Sequence, residues 1–543
     1  MDFTPLDVKS SYSLLKSPTR ISDLVTTAKE RGYKSLALTD ENVLYGAVEF
    51  YNAAKKAGIK PILGLRLVVA LNETDGTKLD LVFLAKNQRG YQHLMDLSTL
   101  QQTRKDKKIP LTIAQISSLL GELFIIIPPQ STVFSILAQP TSILTELANL
   151  GDDDSVLLGV NSRLDDVQID TLQQLSKQLS LPLVGTSPVD YLNANDLFAS
   201  RVLQAIDAGV ELKDPTIEAR RRGQHYLHSK EQIIQDYNAK GLSAAAQKTV
   251  EVAALCNVEL QFRAPVLPHF KNQAGIPSQQ YLRSLCIQGL KKRRVAPGKT
   301  IQQYQERLAM ELKVIHEMGF DDYFLIVWDV MNFAHQQKIT TDPGRGSAAG
   351  SLVAYALAIT EVDPLQYDLL FERFLNPERA QMPDIDLDIP DNRRDEVLQY
   401  VHQKYGHQRV AQIITFGTLA AKQVVRDVSR VFNLPRYDMQ RLIDALPHGL
   451  HVTLKDALKE SQQLKNLLDD NPKFRLLIQV AQQLEGLPRH YSIHAAGIVL
   501  SEQPLHEIVP LQDGSDGLLM TQFAKDTVEA LGLLKMDFLG LKN

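Results

Sequence analysis

Short apolar runs rich in β-branched residues alternate with amphipathic stretches over the first half of the chain. The runs have the length and composition of strands, whereas the stretches between them repeat apolar residues at the helical spacing. Two of these stretches, 21–32 and 47–58, end in glycine, a residue that often terminates helices. The alternation of strands and helices favours a parallel sheet or a barrel. The strands are predicted at 35–40, 60–71, 79–86, 123–129, 155–160 and 181–192.

The second half of the chain has a different pattern. A proline-marked stretch, 262–278, is the best candidate for a boundary between domains. Strongly helical sequence follows it, and residues 430–490 form a second helical region rich in Arg, Gln, Leu and Asp. A strand-like tail, 494–543, closes the chain. We therefore expect an α/β protein of several domains.

Composition narrows the class of protein. The chain has 543 residues, 44% of them hydrophobic, which is enough for roughly three or four domains with buried cores. Its two cysteines argue against a disulfide framework and against a thiolate metal cluster. The net charge of −4 neither supports nor excludes nucleic acid, because only one groove of a large protein has to be positive. The sequence shows no secretory signal and no apolar run of the roughly 20 residues that cross a bilayer, so we expect a cytoplasmic protein.

The segment MPDIDLDIPD, residues 382–391, places three acids at every second position. Side chains alternate along a strand, so Asp384, Asp386 and Asp388 would share one face. Carboxylates stacked in this way repel each other, and hard divalent cations that bind oxygen ligands relieve the repulsion. The segment therefore suits a two-metal site for phosphoryl or nucleotidyl transfer. A solvated acidic edge strand, or a structural Ca²⁺ site, remains an alternative.

The segment GLLKMDFLGL, residues 532–541, follows the same alternation. Lys535 and Asp537 would lie on one face of a strand, with apolar side chains on the other. A lysine two residues from a metal-binding aspartate could contact a triphosphate as a point charge. The alternative is an ordinary surface ion pair.

A glycine-rich segment, 342–358, leads into an Ala- and Leu-rich helix. Ser347 is the predicted N-cap of that helix. Free backbone N–H groups at such a turn bind anions, and the glycines allow phosphates to approach closely. The segment is neither a P-loop nor a dinucleotide-binding turn. A plain turn that caps a buried helix remains an alternative, and Asp342 is an unfavourable neighbour for a triphosphate.

Six segments of the second half occur in an order typical of one family. Together they resemble the palm of the C family of bacterial replicative polymerases, the alpha subunits of DNA polymerase III. The segment LAKNQRGYQHLMDLST extends this resemblance into the first half of the chain. The six segments are PGRGSAAGSLVAYALAIT, LLFERFLNPER, MPDIDLD, ITFGTLAAKQVVRDVSR, HAAGIVLS and LLKMDFLGLK.

The resemblance implies a fold. We expect a PHP-type (polymerase and histidinol phosphatase) distorted β/α barrel over residues 1–265. A palm like that of the polymerase-beta nucleotidyltransferases would follow in two parts, 266–428 and 493–543, with a helical thumb at 429–492 inserted between them. The family continues beyond this point with fingers, a clamp-binding region and an OB-fold. We therefore expect a fragment that has little or no activity alone.

The resemblance also implies the chemistry. Asp384, Asp386 and Asp537 would hold two Mg²⁺ ions while the primer 3′-hydroxyl attacks the α-phosphate of a dNTP. The implied partners are primer-template DNA, dNTPs and other replisome subunits, with a sliding clamp bound through the part beyond this chain and a proofreading exonuclease through the PHP domain. The residues expected to contact the triphosphate are Arg345, Gly346, Ser347, Arg373 and Lys535.

The resemblance also indicates that a second metal site has been lost. Active PHP domains bind metals through histidines and acids, but no histidine precedes His93 in this chain. Two cations now stand among the expected ligands and would oppose metal binding. We predict a PHP-like domain without catalytic metals, in which ion pairs Lys9–Asp7 and Arg66–acid fill the cavity. The residues at the expected ligand positions are Asp7, Lys9, Glu41, Arg66 and Asp190.

Two other functions stay open at this point. The first is a PHP-type metal-dependent phosphoesterase or exonuclease with its chemistry in the first half of the chain. The second is a fragment that binds DNA or other subunits and has no catalytic activity.

Overall fold

A computed structural model describes residues 2–70, 78–129, 145, 154–272, 274–379, 382–447, 449, 452–515 and 517–541. The chain divides into two compact units. The first unit comprises Met1–Leu260 and Phe416–Ser492, and the second comprises Gln261–Thr415 and Ile493–Asn543. None of the helices in the described ranges is long and apolar enough to span a membrane.

The first unit has strands at all six predicted runs, the last much shorter than predicted, and a short strand at Leu111–Thr112 that the sequence pattern does not predict. They are Ser35–Leu38 (β1), Lys60–Ala70 (β2), Lys78–Ala85 (β3), Leu111–Thr112 (β4), Leu123–Ile127 (β5), Val156–Val160 (β6) and Leu183–Gly185 (β7). The remaining strands are Asp386–Pro390 (β8), Val410–Thr418 (β9), Pro488–Leu500 (β10), Leu511–Asp513 (β11), Leu519–Ala524 (β12) and Leu534–Leu541 (β13).

The α-helices alternate with the strands in the first part of the chain and then dominate. Within the described residues, those of the first part are Ile21–Glu30 (α1), Ala47–Ala57 (α2), Gln88–Gln102 (α3), Ile113–Ile116 (α4), Asp166–Leu179 (α5), Leu197–Ala208 (α6), Pro215–Glu218 (α7), Lys230–Ala239 (α8) and Ser243–Leu255 (α9). Those that follow are Ser278–Leu290 (α10), Ile301–Glu317 (α11), Asp321–Gln336 (α12), Leu352–Ala356 (α13), Arg394–Tyr405 (α14), Ala421–Val431 (α15), Arg436–Asp444 (α16), Leu454–Glu460 (α17), Gln462–Asp470 (α18), Pro472–Leu484 (α19) and Lys525–Ala530 (α20).

The first unit contains a mixed sheet of seven described strands in the order β1-β2-β3-β5-β6-β7, with β4 beside β2. β3 is antiparallel to both neighbours, and the other pairs are parallel. Of the two expected arrangements, the parallel sheet is therefore wrong. Only residues 71–77 connect β2 to β3, which is too few for the crossover that a parallel pair requires.

The helices of Phe416–Ser492 pack within the first unit. Apolar residues of α15 to α19 form one buried cluster with α6. Phe198 of α6 and Phe432 meet in this cluster with ring centroids 6.0 Å apart. Just after α19, the backbone carbonyl of Glu485 accepts a hydrogen bond from Arg20. The predicted helical region at 430–490 is thus observed, and within the first unit it shares a buried core with α6.

The second unit contains the six-stranded sheet β11-β12-β9-β10-β13-β8. β13 runs parallel to β8 and antiparallel to β10. Apolar residues of α10 to α14 pack with this sheet in a single core. Leu387 and Ile389 of β8, with Met536 and Phe538 of β13, point into that core and are almost fully buried. The alternation predicted for both segments therefore directs the intervening residues to the opposite face.

Candidate active site

Two neighbouring strands bring three aspartates together. Asp386 on β8 is paired with Asp537 on β13 in the parallel ladder. Asp384 lies just before β8, and each of the three residues offers a carboxylate oxygen within 4.8 Å of the others. We call Asp384, Asp386 and Asp537 the carboxylate triad. Among the described residues it is the one group of three or more histidines, cysteines or acids that could hold a metal ion.

The strand that carries Asp386 is shorter than predicted. The sequence predicts a strand over 382–391, but β8 begins at Asp386, so Asp384 lies in the segment before it. Instead of a ladder partner, the backbone N–H of Ile385 donates to the Tyr323 hydroxyl at 3.1 Å. Asp384 is exposed, whereas Ile385 is buried. This arrangement leaves one ligand of the triad open to solvent and two on the sheet.

The electrostatics of the triad favour a cation. Burial raises the pKa of Asp386, the Arg345 guanidinium opposes this, and the negative charges of Asp384, Asp388 and Asp537 add to the rise. The side chain of Asp537 is 13% exposed and forms an ion pair with Lys535 through Oδ2. Its other oxygen, Oδ1, is buried and has no hydrogen-bond partner among the residues that the structure describes. A buried carboxylate oxygen that lacks a donor is costly, and a divalent cation would satisfy it. The donor set, all carboxylate oxygen, fits Mg²⁺.

Asp388 is not part of the triad, although it lies on the same face of β8 as Asp386. Its side chain is 2% exposed and accepts a hydrogen bond from Arg345 Nε at 2.7 Å. The Arg345 guanidinium also lies 3.3 Å from Asp386. Arg345 thus bridges two carboxylates of the strand, which partly neutralises the acidic face.

The glycine-rich segment lies beside the triad. Asp342 donates its N–H to the backbone carbonyl of Asp388 at 3.3 Å. Gly346 has φ +68°, a left-handed conformation that glycine adopts without strain. A Cβ at this position would lie 3.9 Å from Asp386 Oδ2. The exposed Ser347 follows directly, so the predicted anion-binding turn and the triad are adjacent.

The N-cap predicted at Ser347 is wrong. Gly346–Gly350 forms a 3-10 turn, which we call the glycine turn, and α13 begins only at Leu352. Ser351 caps α13 by accepting from Ala354 N–H at 3.1 Å. The 3-10 turn precedes the α-helix, as such turns often do at helix N-termini, and delays its start by about one turn.

The N–H groups at the start of α13 are occupied. Glu311 accepts hydrogen bonds from the backbone N–H groups of Leu352 and Val353 at 2.9 and 3.0 Å. The positive end of this helix is therefore taken by a buried side chain, and the N-terminus of α13 is not the anion site that the sequence predicts. The glycine turn, in which Gly346 and Ser347 are exposed, is the other candidate for an anion site.

Lys535 and Arg373 are the other two charged residues, besides Arg345, that the sequence predicts to contact the triphosphate. Lys535 is 9% exposed and contacts Asp537 directly. Arg373 is exposed on the 3-10 turn Phe371–Arg373. That turn packs against the glycine turn, where a Cβ on Gly350 would lie 2.7 Å from the carbonyl oxygen of Leu370. The structure thus brings Lys535 and Arg345 to the carboxylates and joins Arg373 to the site through the glycine turn.

Comparison with known proteins identifies the family. The family described as bacterial DNA polymerase III alpha NTPase domain matches residues 280–540, and the PHP domain family matches residues 5–127. The chain is 43% identical over 552 residues to the DNA polymerase III subunit alpha of Bacillus subtilis (strain 168), covering 100% of this chain and 48% of that protein. The chain belongs to the DNA polymerase III alpha subunit family.

A second alpha subunit of DNA polymerase III gives the same picture. That of Halalkalibacterium halodurans is 42% identical over 550 residues, covering 100% of this chain and 48% of the relative. The chain therefore spans about half the length of the curated relatives it matches. A solved amidohydrolase from Chromobacterium violaceum matches 35% of this chain and 87% of its own at 12% identity, with a TM-score of 0.25, too low to carry an argument.

The family match assigns both parts of the structure. The NTPase domain of DNA polymerase III alpha subunits covers all three residues of the carboxylate triad. The PHP match covers β1 to β5 of the first unit. The chain is thus a mixed α/β protein in which a PHP-like region precedes a mixed-sheet domain with helices.

Ion pairs occupy the ligand positions of the PHP-like region. Arg66 is 11% exposed, and its Nη1 lies 2.7 Å from Asp7. The guanidinium also contacts Asp80. Burial works against the charge of Arg66, but the two carboxylates outweigh it and raise its pKa. The predicted pairing of Arg66 with an acid is therefore confirmed, and Asp80 is a partner that the sequence analysis missed.

The predicted pair Lys9–Asp7 is wrong. Lys9 Nζ instead lies 2.8 Å from Glu41 and 3.1 Å from Asp190. Asp190 also accepts from His225 Nδ1 at 2.9 Å. Arg66 already binds both oxygens of Asp7, which leaves the lysine to the other two acids. His225 was also missed, because it lies far from Asp190 in the sequence.

Proposed function

We propose that this chain carries the nucleotidyl-transfer site of a bacterial DNA polymerase III alpha subunit. The reaction is template-directed DNA synthesis, in which the primer 3′-hydroxyl attacks the α-phosphate of a dNTP and pyrophosphate leaves. The observation that carries the proposal is the convergence of Asp384, Asp386 and Asp537 beside the glycine turn.

The carboxylate triad is the proposed metal site. When bound there, two Mg²⁺ ions supply the Lewis acidity of two-metal phosphoryl transfer. Asp386 and Asp537, held by paired strands, fix their ligand atoms from the sheet. Asp384 lies before the strand and is exposed, so it is the ligand best able to adjust as substrate enters.

The glycine turn is the proposed binding site for the triphosphate. Gly346 and Ser347 offer backbone and hydroxyl donors beside the triad, since a Cβ on Gly346 would lie 3.9 Å from Asp386 Oδ2. Arg345, Arg373 and Lys535 supply positive charge for the phosphates. Arg345 and Lys535 contact carboxylates of the site in this structure, and we propose that they turn to the phosphates when the metals neutralise those acids.

We propose the following division of the chain. Residues 1–265 form a PHP-type distorted β/α barrel, and residues 266–428 with 493–543 form a palm like that of the polymerase-beta nucleotidyltransferases. The helices of 429–492 form a thumb that grips the primer-template backbone without reading its sequence. Other replisome subunits, including a clamp and a proofreading exonuclease, are proposed partners, and the cytoplasm is the proposed location.

The PHP-like region is proposed to lack catalytic metals. Lys9 and Arg66 place positive charges among the acids that would otherwise be ligands, and a nearby cation opposes metal binding. This argues against phosphoesterase or exonuclease chemistry in the first unit. Metal analysis that finds two or three tightly bound Zn²⁺ or Mn²⁺ ions in this unit would overturn the proposal.

Nucleotide binding tests the proposed function. The chain should bind a dNTP in the presence of Mg²⁺, and Asp384→Ala should abolish this binding. Asp395→Ala is a matched control, because Asp395 is an exposed acid on α14 outside the triad. Equal binding by wild type and Asp384→Ala would contradict the proposal. Primer extension by this chain alone should be far slower than by a full-length relative.

A further inference from the structure

One face of α11 carries a charged residue among apolar ones. Tyr304, Leu308 and Ile315 are buried on that face, and Glu311 lies among them with a fully buried side chain. Burying a carboxylate is costly unless donors surround it. The partners of Glu311 therefore indicate what the residue does.

The carboxylate of Glu311 holds the segment that directly follows the glycine turn. The N–H groups of Leu352 and Val353 donate to it, and so does the Ser351 hydroxyl at 2.9 Å. The two N–H groups are among those that the first turn of a helix leaves without partners. Glu311 thus anchors the end of the glycine turn to α11.

Arg307 lies one helical turn earlier and reaches two further segments. Its Nε donates to Glu311 at 2.6 Å. Its Nη2 donates to the carbonyl oxygens of Gly350 at 2.9 Å and Leu369 at 3.2 Å. Gly350 ends the glycine turn, and Leu369 precedes the turn that carries Arg373. A single guanidinium therefore ties together the two segments that bear the proposed triphosphate contacts.

The two segments are in tight contact at Gly350. A Cβ there would lie 2.7 Å from the carbonyl oxygen of Leu370. Because both sides of this contact are backbone, no flexible side chain can move aside. The separation of the two turns therefore depends on the groups that hold them.

We propose that Arg307 and Glu311 are positioning residues for the triphosphate of the incoming nucleotide. They keep the glycine turn and the Phe371–Arg373 turn in the register that phosphate binding requires. By occupying the start of α13, Glu311 also leaves the glycine turn as the donor site. The inference rests on the proposed function of this site.

Nucleotide affinity of matched variants tests this proposal. Mg²⁺-dependent dNTP binding is measured for Arg307→Met, Arg307→Lys and Glu311→Gln in the 543-residue chain. Arg307→Met should weaken dNTP binding about tenfold, since hydrogen bonds to charged groups contribute on that scale. Arg307→Lys should recover part of the loss. Lys313→Met is the control, because it removes an exposed cation that pairs with Glu317 on the same helix.

Binding of Mn²⁺ to the triad separates positioning from general damage. In Arg307→Met the Mn²⁺ affinity without nucleotide should stay within twofold of wild type, while dNTP affinity falls. Loss of both affinities would indicate a structural role for Arg307 and overturn the inference. The inference would also be overturned if Arg307→Met bound dNTP as tightly as Lys313→Met does. If Arg307→Met does not fold, Glu311→Gln, which keeps the side-chain shape, decides by the same two measurements.

The Asp384→Asn variant distinguishes failure of the positioning role of Arg307 and Glu311 from failure of the proposed nucleotidyl-transfer site. If wild type binds dNTP and Asp384→Asn does not, but Arg307→Met and Glu311→Gln bind normally, this inference fails alone. If wild type shows no Mg²⁺-dependent dNTP binding, or Asp384→Asn leaves it unchanged, the proposed function fails and the inference falls with it.

Discussion

Asp386 of β8 and Asp537 of β13 face each other across two parallel strands, with carboxylate oxygens within 4.8 Å. Negative groups at this distance destabilise each other unless a proton or a cation intervenes. Arg345 contacts Asp386 and Lys535 contacts Asp537, which reduces the repulsion between these two acids. Stability of the second unit should therefore depend on divalent metal.

Replacing Asp384 by asparagine should separate metal binding from folding. Asp384 is exposed, so without metal the melting temperature of Asp384→Asn should equal or exceed that of wild type, because one repulsive charge is gone. The rise in melting temperature on adding Mg²⁺, expected from selective binding to the folded state, should be lost. Differential scanning calorimetry measures both effects. Asp395→Asn should retain the rise, and a full rise in Asp384→Asn would refute the assignment.

Lys535→Met should have opposite effects on metal and nucleotide. The Lys535 ammonium contacts Asp537 and competes with a cation for it, so its removal should strengthen Mn²⁺ binding in the absence of nucleotide. The same change should weaken dNTP binding, because a phosphate contact is lost. Electron paramagnetic resonance of Mn²⁺ and equilibrium dialysis of dNTP give the two affinities. If both affinities moved in the same direction, Lys535 would not have this dual role.

Arg66→Met should destabilise the first unit strongly. It would leave Asp7, which is 2% exposed, without its cation, and removing one partner of a buried ion pair costs about 3–5 kcal/mol. Urea unfolding followed by a probe in the first unit measures this loss. Lys34→Met breaks an exposed pair with Asp2 and should cost no more than about 1 kcal/mol. Equal losses in the two variants would be inconsistent with a structural role for Arg66.

Asp190 should make the first unit sensitive to acid. Burial works to raise the pKa of Asp190, but the hydrogen bond from His225 and the charge of Lys9 outweigh it and lower the pKa to about 2. A lowered carboxyl pKa stabilises the fold above the unfolded value of 3.8, and this contribution disappears as the pH falls through about 2. The stability gap between wild type and Asp190→Asn should therefore narrow by about 1 kcal/mol between pH 5 and pH 3. Urea unfolding of both proteins at pH 5 and pH 3 measures this difference. A difference that stays constant between the two pH values would contradict the role of Asp190.

Sequence pattern predicted the strands of the site because their alternation is strong. In β8 and β13 apolar residues such as Leu387 and Phe538 fill the core, and burial fixes which face the acids occupy. The end of a strand is less well specified, since Asp384 and Ile385 continue the alternation although β8 begins only at Asp386. The Tyr323 hydroxyl that binds Ile385 comes from a distant helix, and periodicity does not reveal it.

The predictions that were wrong or missed mostly concern which side chains pair with each other in the folded chain. Lys9 could pair with several acids, and only the fold shows that Arg66 takes Asp7. The N-cap moved from Ser347 to Ser351 because the glycine turn adopts a 3-10 bend. Glu311 was missed although the signal existed, since it occupies an apolar position of α11 four residues after Arg307.

Anomalous diffraction from crystals grown with Mn²⁺ and a dNTP would locate the metal ions of this chain. We expect two peaks about 3.5–4 Å apart, bound by Asp384, Asp386 and Asp537, with the triphosphate against Gly346 and Ser347. Strong peaks elsewhere in the chain, with no Mn²⁺ at these three carboxylates, would contradict it.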